Sequence, residues 1–142
     1  MDRHYMFTYG MNTDPDHMRF NSLSRPIGKA HLVGWQLEFR YYANIVPGGE
    51  MDGVLWEIDD ATLAHLDSRE GYPDLYKRFV VNVTHETETY GANVYSMTDA
   101  YRKFEQSTMP SPHYLETIRR GYTQFKIDHK QLTSALAAAQ SN

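Results

Sequence analysis

The chain has no cysteine in its 142 residues, which excludes disulfides, thiolate nucleophiles and cysteine-ligated metals. No apolar run approaches the ~20 residues of a membrane-spanning helix. The opening, Met1-Asp2-Arg3-His4, enters a short apolar strand without the apolar core of a signal peptide. A cytosolic protein with no membrane partner is therefore expected. Positive charge is also scarce. Fourteen Lys and Arg against 18 Asp and Glu give a net charge of −4, which argues against nucleic acid as a partner. The basic pairs Lys77-Arg78 and Arg119-Arg120 read as solvated surface. No G-x-S-x-G, G-x-G-x-x-G or phosphate-loop motif occurs. His85-Glu86 begins an H-E-x-x-H pattern, but Thr89 stands where the second histidine belongs. The seven histidines are scattered, and no metal site is expected.

What is present is a globular composition. Hydrophobic residues make up 41% and charged residues 23%, which suits one domain over residues 1–142 with a substantial core and a tail at 137–142 that frays. Eleven tyrosines suggest β structure and a polar-lined cavity. His4 to Tyr9 reads as a strand broken at Gly10. Thr13-Asp14-Pro15-Asp16 reads as the start of a short helix, with a polar cap and proline in its first turn. Ala30 to Tyr42 carries Val33, Trp35, Leu37 and Phe39 at period two, a strand with one buried face. Ala43–Val46 and Met51–Ile58 flank Pro47-Gly48-Gly49, a turn signal. Asp59-Asp60 caps a helix that ends at Glu70, with Gly71 as its left-handed terminus. Tyr76–Thr84 and Ala92–Met97 read as a hairpin through the polar stretch Thr87–Gly91. Helices at Pro112–Phe125 and Asp128–Ala139 complete an α+β chain whose strands form a small mixed barrel or a strongly curved sheet.

Three constellations could carry chemistry. In the first, Phe7-Thr8-Tyr9-Gly10-Met11-Asn12, a strand breaks into a glycine turn whose successive N–H groups can cradle an anion. An ordinary strand-to-helix turn is the alternative. In the second, Leu63, Leu66, Asp67 and Glu70 share about 100° of helix arc, the width of a core-facing stripe. A carboxyl group there, at the negative end of a helix dipole and near Asp67, would have a raised pKa suited to proton transfer. A solvated carboxylate at a frayed helix end is the alternative. The third is a tyrosine set, Tyr76, Tyr95 and Tyr114, which are either core residues or cavity lining.

In this order the pieces resemble the γ-glutamylcyclotransferase family, including its AIG2-like relatives. The family's Y-G-S-N turn is matched by Tyr9-Gly10-Met11-Asn12, and its L-D-x-x-E-G segment by Leu66-Asp67-Ser68-Arg69-Glu70-Gly71. A following tyrosine, a V-Y strand and a P-S-x-x-Y helix are matched by Tyr76, Val94-Tyr95 and Pro110-Ser111-Pro112-His113-Tyr114. The strand Gly53-Val54-Leu55-Trp56-Glu57-Ile58 is also similar, and the likeness runs over residues 4–125. It implies a small mixed β-barrel with flanking helices and no cofactor. It also implies cyclisation of a small-molecule γ-glutamyl substrate to 5-oxoproline with release of the attached amine. Glu70 would be the acid/base. Phe7, Thr8, Tyr9, Gly10, Met11, Asn12, Tyr95 and Tyr76 would bind substrate. Family analogy also implies a homodimer. Met11 departs from the family's serine, which leaves an inactive small-molecule binding module of the same fold as the alternative. Residues 19–30 and 98–110 are the expected determinants of the leaving group.

Overall fold

Period-two burial and two long strands organise the chain. The computed structural model describes residues 3–18, 24–105 and 108–140. Strand β1 (Arg3–Thr8) leads through a single 3₁₀ turn at Met11–Thr13 into the short helix α1 (Pro15–Met18). Strands β2 (Arg25–Arg40) and β3 (Tyr42–Asp59) follow, then helix α2 (Asp60–Glu70). Next come β4 (Tyr76–His85), β5 (Glu88–Met97) and helices α3 (Asp99–Phe104), α4 (Pro112–Gln124) and α5 (Lys130–Gln140). The strands close a barrel in the order β1-β3-β2-β4-β5. Pairing is antiparallel except where β1 meets β5 in parallel, with Met6 opposite Asn93. The fold is α+β, a closed five-stranded barrel with flanking helices. No helix among the described residues is long and apolar enough to cross a membrane.

The core sits where strands are buried on both faces. Phe7, Leu55, Trp56, Ile58 and Leu66 are almost wholly enclosed. The Trp56 indole N–H donates to Thr8 Oγ1 at 2.8 Å, so burial leaves it satisfied. Gly53 lets β1 and β3 approach: a Cβ there would stand 2.3 Å from the Thr8 carbonyl oxygen.

Three expectations change. Pro47-Gly48-Gly49 does not reverse the chain. It lies inside β3, opposite a register irregularity between Val33 and Trp35, and the reversal occurs at Tyr41 with φ 65°. Positive φ at Gly34, Gly48 and Gly49 absorbs the irregularity as a bulge, which bends a long ribbon without ending it. The β4–β5 connection is tighter than expected, because Thr89–Gly91 pair in β5. Finally, Asp99–Phe104, a stretch given no element above, forms a helix. It is capped by Thr98, whose Oγ1 accepts from Tyr101 N at 3.2 Å. Helix α5 continues to Gln140 with Ala139 buried. Residues 19–23, 106–107 and 141–142, which belong to segments discussed above, lie outside the described residues.

Helix α4 holds the turn after β1. It begins at Ser111, whose hydroxyl accepts from Tyr114 N at 3.2 Å, with Pro112 in its first turn. It then packs through Gly121 on Thr13, so closely that a Cβ would lie 2.1 Å from Thr13 Oγ1 and 2.6 Å from Thr13 C. Overpacking a contact of this kind costs about 1–3 kcal/mol, more than the ~1 kcal/mol that alanine's helix propensity returns. Gly121→Ala is therefore expected to lower the urea midpoint. Gly91→Ala, whose Cβ would meet Val80 at an ordinary 3.6 Å, should change it little. Equal midpoints for the two variants would refute the close approach.

Candidate active site

The site is built from the end of β1 and the end of α2. Beyond Thr8 the chain runs through the buried Tyr9, whose carbonyl accepts from the Tyr122 hydroxyl at 2.7 Å. Gly10 then bends toward β3 with little room to spare, since a Cβ would come 3.0 Å from Ala43 Cβ. The 3₁₀ turn is closed by Thr13 N and Thr13 Oγ1, which donate to the Gly10 carbonyl at 3.0 and 2.6 Å. Asp14 is nearly enclosed at 3% exposure and pairs with Arg120 of α4 at 2.8 Å. The polar cap expected within Thr13–Asp16 is Asp14, whose carboxylate lies 3.4 Å from Asp16 N.

Glu70 closes α2, which is capped by Asp59 at one end and by Gly71 (φ 65°, ψ 38°) at the other. That geometry turns its carboxyl group toward the β1 turn, where Asn12 Nδ2 donates to Oε1 at 3.4 Å. Burial raises the Glu70 pKa above the usual 4.5, and the neighbouring Arg69 pulls it partly back. Asp67, one turn earlier, plays no part in that shift. It accepts from the Tyr95 hydroxyl at 2.6 Å and lies 3.3 Å from Arg78 Nη1. The Arg78 guanidinium in turn covers the Tyr72 ring at 5.0 Å.

A cavity of about 450 Å³ lies between these two ends, within the usual size range of ligand sites. Phe7, Thr8, Tyr9, Gly10, Met11 and Asn12 line one side, and Glu70, Tyr76 and Tyr95 also line it. The structure thus brings all nine expected residues together. Their hydroxyl protons are directed inward to the framework. Tyr9 donates to the Tyr95 carbonyl at 2.7 Å, and Tyr76 to the Ala43 carbonyl at 3.0 Å. Tyr114 is different, because its oxygen accepts from Ala43 N at 2.8 Å. No acceptor among the described residues takes its own proton, which remains available to an occupant of the cavity. Burial pushes the phenols of Tyr9, Tyr76, Tyr95 and Tyr114 upward, so all four stay protonated at neutral pH.

Sequence reasoning did not assign Tyr42, Leu75, Tyr101, Arg69 or His17 to this cavity, although all line it. Arg69 lies inside the motif, beside Glu70. Tyr101 sits in a helix of 6 residues, too short for apolar spacing to single out one position. A second cavity of about 530 Å³ lies between β3 and α5. Its acids are exposed or already paired, as in the 2.7 Å contact of Asp52 with His31, and no expected site residue lines it.

Residues 6–116 match the family model described as gamma-glutamyl cyclotransferase, AIG2-like. A protein of Methanocaldococcus jannaschii, provisionally named a gamma-glutamylcyclotransferase, is 30% identical over 88 residues, 56% of this chain and 71% of that protein. The crystal structure of an uncharacterized Homo sapiens protein superposes with a TM-score of 0.78 at 25% identity, over 97% of this chain and 88% of that one. A solved gamma-glutamyl cyclotransferase gives 0.75 at 23% identity, over 96% and 88%, which shows the fold.

Because burial raises the Glu70 pKa, the native state binds a proton more tightly than the unfolded chain does. Wild-type stability should therefore fall as pH rises from the ordinary carboxylate value through the native one. Glu70→Gln lacks this penalty. Its stability relative to wild type should be near equal at low pH, grow through that window and then level off. Urea titrations from pH 4 to 8 measure the difference. A flat difference would contradict burial of the charge.

Proposed function

We propose that this chain, which belongs to the AIG2-like gamma-glutamyl cyclotransferase family, is an enzyme that cyclises a γ-glutamyl group to 5-oxoproline and releases the attached amine, with Glu70 as acid/base. Family membership supports the cyclotransferase reaction type. The observation that supports the Glu70 assignment is a half-buried carboxyl group with a raised pKa, hydrogen-bonded by Asn12 and lining one cavity with the β1 turn.

The chemistry runs in balance. The substrate's α-ammonium group, with a pKa near 8, gives a proton to the Glu70 carboxylate. The freed amine attacks the γ-carbonyl carbon, closing a five-membered ring. The bond from that carbon to the leaving nitrogen then breaks as Glu70 returns the proton to the departing amine, and the second proton of the ring nitrogen follows to the released amine, which leaves as an ammonium ion while the ring keeps one N–H. The reaction consumes no water and involves no change of oxidation state. Raising the acid's pKa toward that of its partner makes both transfers easier. Since the attack is intramolecular, much of the protein's task is to hold the glutamyl chain folded. In this reading the N–H groups of Gly10, Met11 and Asn12 receive the α-carboxylate or the developing oxyanion, and the Tyr114 proton is a further donor. Phe7, Thr8, Tyr76 and Tyr95 form the walls that shape the glutamyl chain.

Met11 favours a second reading. Its side chain is partly buried against the core and supplies no hydroxyl, so a protein that binds the same ligands without turnover fits that substitution.

Mass spectrometry of 5-oxoproline released from γ-glutamyl compounds tests the pair. Under the enzymatic reading, Glu70→Gln lowers kcat by about 10²–10⁴-fold. The acid limb of the wild-type kcat/KM profile lies above the usual carboxylate range and disappears in the variant. Saturable binding with no product, unchanged in Glu70→Gln, would establish the binding module instead.

A further inference from the structure

The cavity wall changes character between its floor and its mouth. The floor carries the β1 turn, Glu70 and the Tyr114 hydroxyl. The mouth is formed by Tyr42, Leu75 and Tyr101. Tyr42 and Leu75 remain 37% and 45% exposed although they line the cavity. Each of these side chains stands one layer outside the floor. The Tyr42 ring lies edge-on to Tyr114 at 5.7 Å, the Tyr101 ring edge-on to Tyr76 at 5.8 Å, and Leu75 packs over Gly71 beside Glu70. The apolar surface continues outward through Tyr41, whose ring meets Tyr42 at 4.9 Å. An apolar collar of this kind, continuous with a polar pocket, marks a ligand-contact surface.

Arg69 adds a positive charge to the cavity wall, while Glu105 lies near the Tyr101 ring without lining the cavity. Among the described residues Glu70 is the only acidic side chain lining the cavity, and it is committed to proton transfer. Arg69 is held in place by Asn12 Oδ1 at 3.1 Å and by the carbonyls of His17 and Met18 at 3.4 Å. The geometry of the reaction fixes which part of a substrate meets this wall. With the glutamyl head on the β1 turn and the amide nitrogen within reach of Glu70, the leaving group must point to the mouth.

We propose that the mouth selects γ-glutamyl compounds whose leaving group carries a large apolar or aromatic side chain and rejects those whose leaving group is cationic. This rests on the cyclotransferase reading above. An apolar side chain here trades water for Tyr42, Leu75 and Tyr101. An ammonium group loses hydration against the same wall, finds no carboxylate and faces Arg69.

A matched series of α-linked γ-glutamyl dipeptides (phenylalanine, leucine, alanine, lysine) isolates the side chain, with kcat/KM read from 5-oxoproline release. The phenylalanyl and leucyl compounds are expected to exceed the alanyl one by about tenfold or more, with the lysyl compound poorest. Leu75→Glu should raise the lysyl-to-phenylalanyl ratio about tenfold, and Tyr42→Ser should lower the phenylalanyl-to-alanyl ratio. Each ratio comes from one preparation, so partial misfolding does not move it. Equal rates across the series, or a lysyl preference with the rings acting as a cation cage, would overturn the specificity and leave the cyclotransferase reading standing. No 5-oxoproline from any compound, with folded protein, would overturn both.

Discussion

The contact between α4 and the turn after β1 governs the geometry of everything around the cavity. A glycine turn has more conformational freedom than any other. Here the turn is held from three directions at once. Gly121 brings the helix backbone onto Thr13, the Tyr122 hydroxyl takes the Tyr9 carbonyl, and Arg120 neutralises the buried Asp14. Helix α4 also carries Tyr114, whose oxygen accepts from Ala43 N on β3. One helix therefore fixes the turn and spans the cavity to the far strand. The loop gains the rigidity of the elements behind it, the condition for preorganised electrostatics.

Two carboxylates on one helix end in different surroundings for reasons outside that helix. Asp67 receives the Tyr95 hydroxyl and the Arg78 guanidinium, both from the β4–β5 hairpin, and its charge is met. Among the described residues Glu70 accepts one long amide hydrogen bond, and partial burial is the largest influence on its pKa. Environment rather than spacing distinguishes the pair. The tyrosines divide similarly. Tyr9, Tyr76 and Tyr95 direct their protons into the framework, while Tyr114 faces the other way because a backbone N–H already occupies its oxygen.

Much of this was legible in the chain. Capping chemistry is local, so the Asp59 and Ser111 starts and the Gly71 stop of α2 and α4 could be read from neighbouring residues. Alternation gave the strands, because side-chain direction in a strand has period two whatever lies opposite. Local signals failed where a partner decided the outcome. Pro47-Gly48-Gly49 has the composition of a turn, yet in β3 it is a bulge because the irregular stretch of β2 runs beside it. The 99–104 segment is only 6 residues long, too short for periodicity to reveal, and its helix starts at the Thr98 cap.

By itself the sequence determined the kinds of element and the chemistry available: a glycine turn after a strand, a carboxyl group at a helix end, tyrosines on strands, and no cysteine. Those properties reside in single residues and their near neighbours. Tertiary structure alone decided that nine expected residues share one cavity with Tyr42, Leu75 and Tyr101, that Asp67 meets a guanidinium while Glu70 meets an amide, and that among the described residues no acceptor takes the Tyr114 proton. Burial, pKa and donor direction depend on atoms tens of residues away along the chain, and only barrel closure brings those atoms within a few ångströms.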